Sequence, residues 1–413
     1  MSDSAGIADF RAALTTPGAR TPVLMSLLAR MPIAMVGLAV LLYVQRRTGS
    51  FTIAGFVSAG TLIGVAIGAV AQGRIMDRNG PTRPLLVMTA LFAAAVVAEI
   101  TAIETDRPGP VLVGLGWLIG VTQPMIGSAS RALWTHLLPP GPIRHAAFAY
   151  EAISLEVFFI LGPALAGVMV AAPWAGTALV FSSACMAVGA VGFALTSVVR
   201  AVRPAPSAGG SLLGALSTPG MRTVALAALG FGVTVGFVEV AVPAAATKAG
   251  HAPLGGVMLA AWSLTSVIFG VWYAAHPWPR RMSMRLPFLL GVFALLIAPL
   301  AIPSSLWGLA LLSLVAGMWI TPQSTTHSTS IDLVAPAGSA TEAFGWVVTS
   351  VTIGLAAGQS TSGYLVEHVG VWSSFVVSSV AGLLIALAVF ARRRTLAEQP
   401  SPRDEIEIVG ARV

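Results

Sequence analysis

The stretch GRIMDRNGPTRP, Gly73 to Pro84, decides how this chain is read. Four of its twelve residues are charged (Arg74, Asp77, Arg78 and Arg83), although Asp, Glu, Lys and Arg make up only 9% of the sequence. Long, nearly uncharged blocks flank it on both sides. Apolar blocks of about 18 residues or more read as membrane-crossing helices. The charged stretch is then a loop at which the chain turns back into the bilayer.

Working outward from this loop, the whole chain has the same pattern. It has 413 residues, 56% of them hydrophobic, and a soluble domain of that composition would expose far too much apolar surface. Twelve runs are predicted to cross the membrane: 22–44, 51–73, 84–103, 110–135, 146–171, 174–199, 223–247, 251–275, 286–303, 305–333, 342–367 and 371–391. Together they leave no room for a sizeable soluble domain. The first run is too long for a signal-peptide core, and no small-residue cleavage site follows it, so it is expected to stay. The single cysteine, Cys185, excludes an internal disulfide.

A net charge of +7 raises the question of nucleic acid. Placing the charges removes it. Of the 23 Lys and Arg residues, 18 fall on one set of loops and tails and 4 on the other, while Arg30 lies within the first run. Basic residues accumulate on the cytoplasmic side. The expected location is thus the inner (plasma) membrane, multi-pass, with both termini cytoplasmic, and the partners are a lipid bilayer and a small molecule, with no nucleic acid.

The stretch Val198 to Arg222 is rich in Pro, Gly and Ser, which resist regular structure. It separates related halves. AFAYEAISLEVFFILGPALAG from Ala147 aligns without a gap on AFGWVVTSVTIGLAAGQSTSG from Ala343, at an offset of 196. Ser154/Ser350, Gly162/Gly358 and Gly167/Gly363 coincide. Transporters are commonly built from such repeats, with the substrate between them. The expected fold is an all-α membrane protein, twelve transmembrane helices in two pseudo-symmetric six-helix bundles. Its expected parts are an N-terminal tail (1–21), a first bundle (22–199), a linker (200–222), a second bundle (223–391) and a C-terminal tail (392–413). Gly60, Gly64 and Gly68, and Gly354 and Gly358, repeat at intervals of four, a spacing that lets helix backbones approach closely in lipid.

Gly73, Asp77, Arg78, Gly80 and Arg83 resemble the G-x-x-x-D-R-x-G-x-x-R signature of the major facilitator superfamily. The resemblance extends over nearly the whole chain through the twelve helices, the repeat and the linker. The family's usual basic residues are missing at Pro81 and Thr82. The resemblance implies that this loop is a cytoplasmic gate: it holds the outward-facing state by sitting against the other half, and lets go as the cytoplasmic side opens. The equivalent loop, HPWPRRMSMR from His276, keeps only basic residues, so the gate is expected to be asymmetric. In LGPALAG, Gly162, Pro163 and Gly167 resemble the G-P-x-x-G-G motif of the superfamily's antiporters, with Ala166 departing from it. This points to export. The fourth-helix arginine of drug exporters should fall near Gly116 and is absent, so their proton relay does not transfer.

Charges within the crossings each need a reason, since an ionisable group at the bilayer centre costs ~2.5–3.5 kcal/mol on insertion scales. Matching depths predict that Arg30 pairs with Glu156, either as a static pair or as a proton- or substrate-coupled site. Glu151 is expected to pair with Arg131. Glu239 has no basic neighbour in sequence and is the expected titrating carboxylate, because desolvation without a partner favours the protonated form. Glu99 is expected to reach water at the outer end of its helix. The second part of the tenth run, TPQSTTHSTSID, is too polar for lipid and must face protein or a wet cavity. Gln323, Thr326, His327 and Ser330 are the cavity candidates there, with Gln123, Ser128 and Trp134 on the fourth helix, which agrees with the cavity-lining helices that the resemblance implies.

Other functions fit poorly. No G-x-x-x-x-G-K-[ST] surrounds Lys248, the only lysine, so an ATP-driven pump would need a separate subunit. The six histidines lack ligand spacing, so no metal or cofactor is expected. Aspartate is too sparse for a membrane-embedded lipid-modifying enzyme. The sequence therefore predicts a monomeric secondary carrier that works by alternating access, a proton-coupled antiporter for efflux, with uptake or facilitated diffusion as the alternative.

Overall fold

Pro32 breaks the first crossing in two, because its ring removes a backbone donor and clashes with the preceding turn. The computed structural model describes residues 7–139, 141–202, 214–275, 282–303, 305–335 and 340–396. Most of the linker, the loop from His276 to Arg281 and the C-terminal tail beyond Leu396 lie outside these residues, as do the side chains of Asp77 and Glu156. A short helix α1 (Ile7–Thr15) precedes the broken crossing, formed by α2 (Arg20–Arg30) and α3 (Ile33–Thr48). The second and third crossings are α4 (Phe51–Asn79) and α5 (Thr82–Glu104). Pro124 divides the fourth into α6 (Gly109–Thr122) and α7 (Ile126–Leu137). The fifth and sixth are α8 (Pro142–Met169) and α9 (Thr177–Ala194), followed by the short α10 (Ser197–Ala201).

The second half repeats the plan with α11 (Pro219–Lys248), α12 (Ala252–Ala275) and α13 (Met282–Ile297). Its tenth crossing is divided into α14 (Leu306–Gly317) and α15 (Ile320–Val334), and α16 (Ala340–His368) and α17 (Val371–Ala391) complete it. No strand occurs among the described residues. Eleven crossings are long and apolar enough to span a membrane by length and composition. The twelfth, α16, has 29 residues but carries Ser, Thr and Gln along its length. It tolerates them because it is wedged between α11 and α4, where protein replaces lipid.

The packing repeats as the chain does. α4 packs on α6 as α12 packs on α14, α5 on α9 as α13 on α17, and α3 on α8 as α11 on α16. Glycines set several of these approaches. A Cβ on Gly64 or Gly68 would run into the backbone of Trp117 or Val121 on α6, and one on Gly120 would strike Thr61 on α4. Gly354 and Gly358 serve the α11–α16 crossing against Leu229 and Val233 in the same way.

Two crossings join the halves, α4 with α16 and α8 with α12. Both close at the end of the molecule opposite the arginine-rich loop Gly73–Pro84. Gly55 lies so near α16 that a Cβ would stand 2.6 Å from the Gln359 carbonyl. Gly167 would place one 2.7 Å from the Cα of Gly256. Toward the arginine-rich face α4 and α16 part, and a Cβ on Gly73 or on Gly345 would meet nothing within 4 Å. Among the described residues, the structure is thus shut at the arginine-poor face and parted between α4 and α16 at the arginine-rich face.

Candidate functional site

The first half holds one buried charge cluster. Arg30 ends α2 and Glu151 lies on α8, and they form an ion pair with both side chains nearly sealed from water. Arg30 Nη2 also donates to the Glu151 carbonyl at 3.0 Å. The carboxylate accepts from Ser130 Oγ at 2.6 Å and from Trp134 Nε1 at 3.0 Å. Four donors from α2 and α7 thus converge on one turn of α8. Arg30 thus has Glu151 as a partner, while the side chain of Glu156, its expected partner, lies outside the described residues. The expected pair of Glu151 with Arg131 is corrected. Arg131 is exposed and makes no ion pair with Glu151, whose acceptors are already taken.

Trp134 is 2% exposed and belongs to this cluster, not to a cavity wall. Gln123 is also buried, at the break between α6 and α7. There Gln72 of α4 donates to the Val121 and Gln123 carbonyls and accepts from Met125 N, so it satisfies backbone groups that Pro124 leaves without helix partners. Of the fourth-crossing candidates, Ser128 alone is exposed, on the same face as Arg131.

α15 gives a similar correction. Gln323, Thr326, His327 and Ser330 are all at most 2% exposed. They form the packed side of the helix: His327 meets Phe231 edge-on with ring centroids 5.8 Å apart, and its ring bonds the Ala227 carbonyl of α11. The exposed side carries Ser324, Thr325, Ser328 and Thr329. No large apolar residue is exposed on this helix, so its open face suits a wet space and not lipid. Thr329 and Ser328 send their hydroxyl protons to carbonyls one turn back, which leaves oxygen lone pairs facing outward.

In the second half, Glu239 sits well along α11, half-buried. Gln359 of α16 donates to its Oε2 at 2.7 Å. A carboxylate with part of its surface open does not face hydrocarbon, so Glu239 looks into the space between the halves. The carbonyl of Gln359 forms part of the seat for Gly55, so this carboxylate lies directly beneath the closed crossing. Glu99, expected to reach water, is instead fully buried, with neither oxygen bonded among the described residues. It is near the end of α5, but on the face turned into the bundle.

The glycines of LGPALAG have separate contacts. Gly162 packs on Ala34 and Met35 of α3, whereas Gly167 and the Pro163 carbonyl receive Gly256 of α12. In the arginine-rich loop, Arg74, Arg78 and Arg83 are exposed, and Gly80 turns with φ +75° beside the Val202 carbonyl of its own half.

Sequence reasoning passed over the residues that close the arginine-poor face. Within the first half, Glu104 accepts from Tyr43 and Trp174 at 2.6 and 2.8 Å and pairs with Arg47 at 3.3 Å. Arg46 donates to the carbonyls of Val170 and Ala172. Between the halves, Glu367 at the end of α16 accepts from Ser50 Oγ at 2.6 Å and Thr52 N at 2.8 Å, at the start of α4. A serine helix cap at Ser50 was readable in the sequence, but its partner, 317 residues away, was not.

Comparison with known proteins fits this architecture. Residues 23–341 match the Major Facilitator Superfamily. Over 196 residues the chain is 26% identical to an uncharacterised MFS-type transporter, y4rN, of Sinorhizobium fredii, an alignment that spans 46% of this chain and 47% of that one. The chain thus covers about half the length of this curated relative. Among solved structures, a bacterial homologue of the iron transporter ferroportin in an inward-facing state superposes with a TM-score of 0.70 at 15% identity, covering 94% of this chain and 99% of that one. The nucleoside transporter NupG gives 0.69 at 11% identity, covering 90% and 99%. A POT family transporter in complex with a thioalcohol-conjugated peptide gives 0.69 at 12%, covering 92% and 96%. At these identities the likeness is one of fold. With a family match over most of its length and the two-bundle fold, the chain belongs to the Major Facilitator Superfamily of membrane transporters.

Proposed function

We propose that this chain exports a small molecule from the cytoplasm by alternating access, in exchange for protons, with Glu239 as the coupling carboxylate. The arginine-rich face is cytoplasmic on this reading, so the structure is the inward-open state, and the divisions at 200–222 and 392–413 are the linker and tail. The observation that carries the proposal is the placement of Glu239: an intramembrane carboxylate, partly open to the space between the halves, held by a neutral amide directly under the closed crossing. Charge there is tolerated only with access to water or a partner, and it can change with proton occupancy at the point where the halves meet. The open face of α15 and the exposed Ser128 and Arg131 of α7 offer polar surface for substrate, and the loop at Asp77 and Arg78 is the gate that re-forms when the cytoplasmic side shuts. The chain works as a monomer in the inner membrane.

The test is transport in proteoliposomes across a panel of small molecules, with and without an imposed pH gradient. The wild type is expected to respond to the gradient. Glu239→Gln is expected to lose gradient-driven transport and to keep exchange of substrate for substrate. A mutant that still follows the gradient in full overturns the role of Glu239, and a wild type indifferent to the gradient overturns proton coupling.

A further inference from the structure

We infer that Glu367 is the latch that holds the outer, arginine-poor face shut, by capping a helix that belongs to the other half of the protein. Three hydrogen bonds cross between the halves at this corner. Glu367 accepts from the Ser50 hydroxyl and the Thr52 amide, and Thr52 Oγ1 donates to the Gly363 carbonyl at 3.5 Å. Ser50 is the N-cap of α4, and its oxygen also accepts from Ile53 N. The first amides of a helix have no partner within it, and negative charge is favoured there. In α4 this charge comes from α16, so the charged part of the cap exists only while the two halves touch.

The latch is aligned on both sides. Lys248 at the end of α11 donates to the Val366 carbonyl at 2.7 Å, which fixes the last turn of α16 next to Glu367. On the other side, Arg46, Arg47, Tyr43 and Trp174 lace the loops beside α4 into one block. One helical turn below the latch, Gly363 lies against Phe51, and one turn further Gln359 holds Glu239. These three residues repeat every four positions along α16. Separation of the halves at the outer face must strip Glu367 from Ser50 and Thr52 before the glycine contact can part, so the latch sets how readily that face opens. The inference rests on the alternating-access reading but not on the substrate or the coupling ion.

The experiment measures accessibility and needs no transport. Gly37 on α3 is the reporter position, since a Cβ there meets nothing within 4 Å. Gly37→Cys in a Cys185→Ala background is labelled with a membrane-impermeant maleimide, from each side of oriented vesicles in turn. Glu367→Gln and, separately, Ser50→Ala are expected to raise the labelling rate from the outer side about two- to fivefold, the range of a lost exposed helix-end charge. They are also expected to lower the rate from the cytoplasmic side. Misfolding would raise both rates, so only opposite changes support the latch. Unchanged rates in both variants, or rates that rise together, overturn it. Opposite changes in a protein that proves indifferent to every pH gradient would leave the latch standing and sink the proton-coupled reading alone.

Discussion

Gly167 and Gly363, which the 196-residue offset of the repeat places in register, occupy equivalent points where each half meets the other. Gly167 of α8 lies against Gly256 of α12, and Gly363 of α16 lies against Phe51 and Gly55 of α4. One turn and a residue earlier, Gly162 and Gly358 form a second equivalent pair, each turned inward to the first helix of its own half, α3 and α11. A single helix type thus presents one glycine to its own bundle and one to the partner bundle. In lipid, where packing replaces the hydrophobic effect, such backbone contact is a main source of cohesion, and at the partner face it is cohesion that can be released.

Gly256→Val tests this directly. A Cβ on Gly256 would collide with the Pro163 carbonyl and come within 2.6 Å of the Gly167 Cα. Both are backbone atoms, so neither can rotate away. Over-packing of this kind costs about 1–3 kcal/mol, and the cost falls only on the state closed at the outer face. The variant should fold, since its own bundle is untouched. It should show greater labelling at Gly37→Cys from outside, and transport should drop by roughly 5- to 150-fold. Wild-type transport would mean that the α8–α12 contact is not needed for closure.

Much of this was legible in the sequence, for a physical reason. Apolar blocks, basic loops and four-residue glycine spacing are set by the bilayer, which acts on each segment by itself. Gly64 and Gly68, and Gly354 and Gly358, were therefore recognisable as contact points before their partners were known. What the sequence hid is rotation about each helix axis. Arg30 is at a suitable depth for either Glu151 or Glu156, and depth alone does not name Glu151 as a partner. α15 is polar nearly all round, so its composition could not say that Gln323 and His327 point inward while Ser324 and Ser328 point outward. Nothing in the sequence singles out Glu367, because its partner lies in the other half of the chain.

The Arg30 cluster is expected to act on stability, not on coupling. Glu151 receives Arg30, Ser130 and Trp134 at once, a set of donors that fixes it in one geometry. Removing one member of a buried pair typically costs ~3–5 kcal/mol because the other charge is left stranded. Glu151→Gln should therefore lower the melting temperature and the yield of monodisperse protein. The double variant Arg30→Met with Glu151→Leu should recover much of the loss, since neither charge then remains. A Glu151→Gln protein of wild-type stability that loses only gradient-driven transport would move the coupling site to this cluster.

Glu99 carries the opposite expectation. It is fully buried, and neither oxygen has a partner among the described residues. A buried polar group without hydrogen bonds costs roughly 1–3 kcal/mol by mutational measures. Glu99→Leu should thus leave stability equal to the wild type or raise it, read as a melting temperature in detergent. A clear fall would show that the carboxyl has a bonding partner, such as an ordered water.

The two sides of α15 give the sharpest separation of packing from transport. The Gln323 amide Nε2 lies 3.3 Å from His327 Nε2, and the His327 ring packs against Phe231 of α11. Gln323→Ala should cost stability with a modest effect on apparent substrate affinity in the protein that survives. Ser328, one turn along on the open side, is exposed and donates to the Ser324 carbonyl. Ser328→Trp should leave the melting temperature within about 2 °C, as expected for an exposed change worth under roughly 0.5 kcal/mol, yet it should hinder transport by filling the polar path. Measured side by side, loss of transport in Ser328→Trp with intact folding assigns that face to the pathway. Unimpaired transport in Ser328→Trp with a defect confined to a well-folded Gln323→Ala would return the pathway to the residues first expected from sequence.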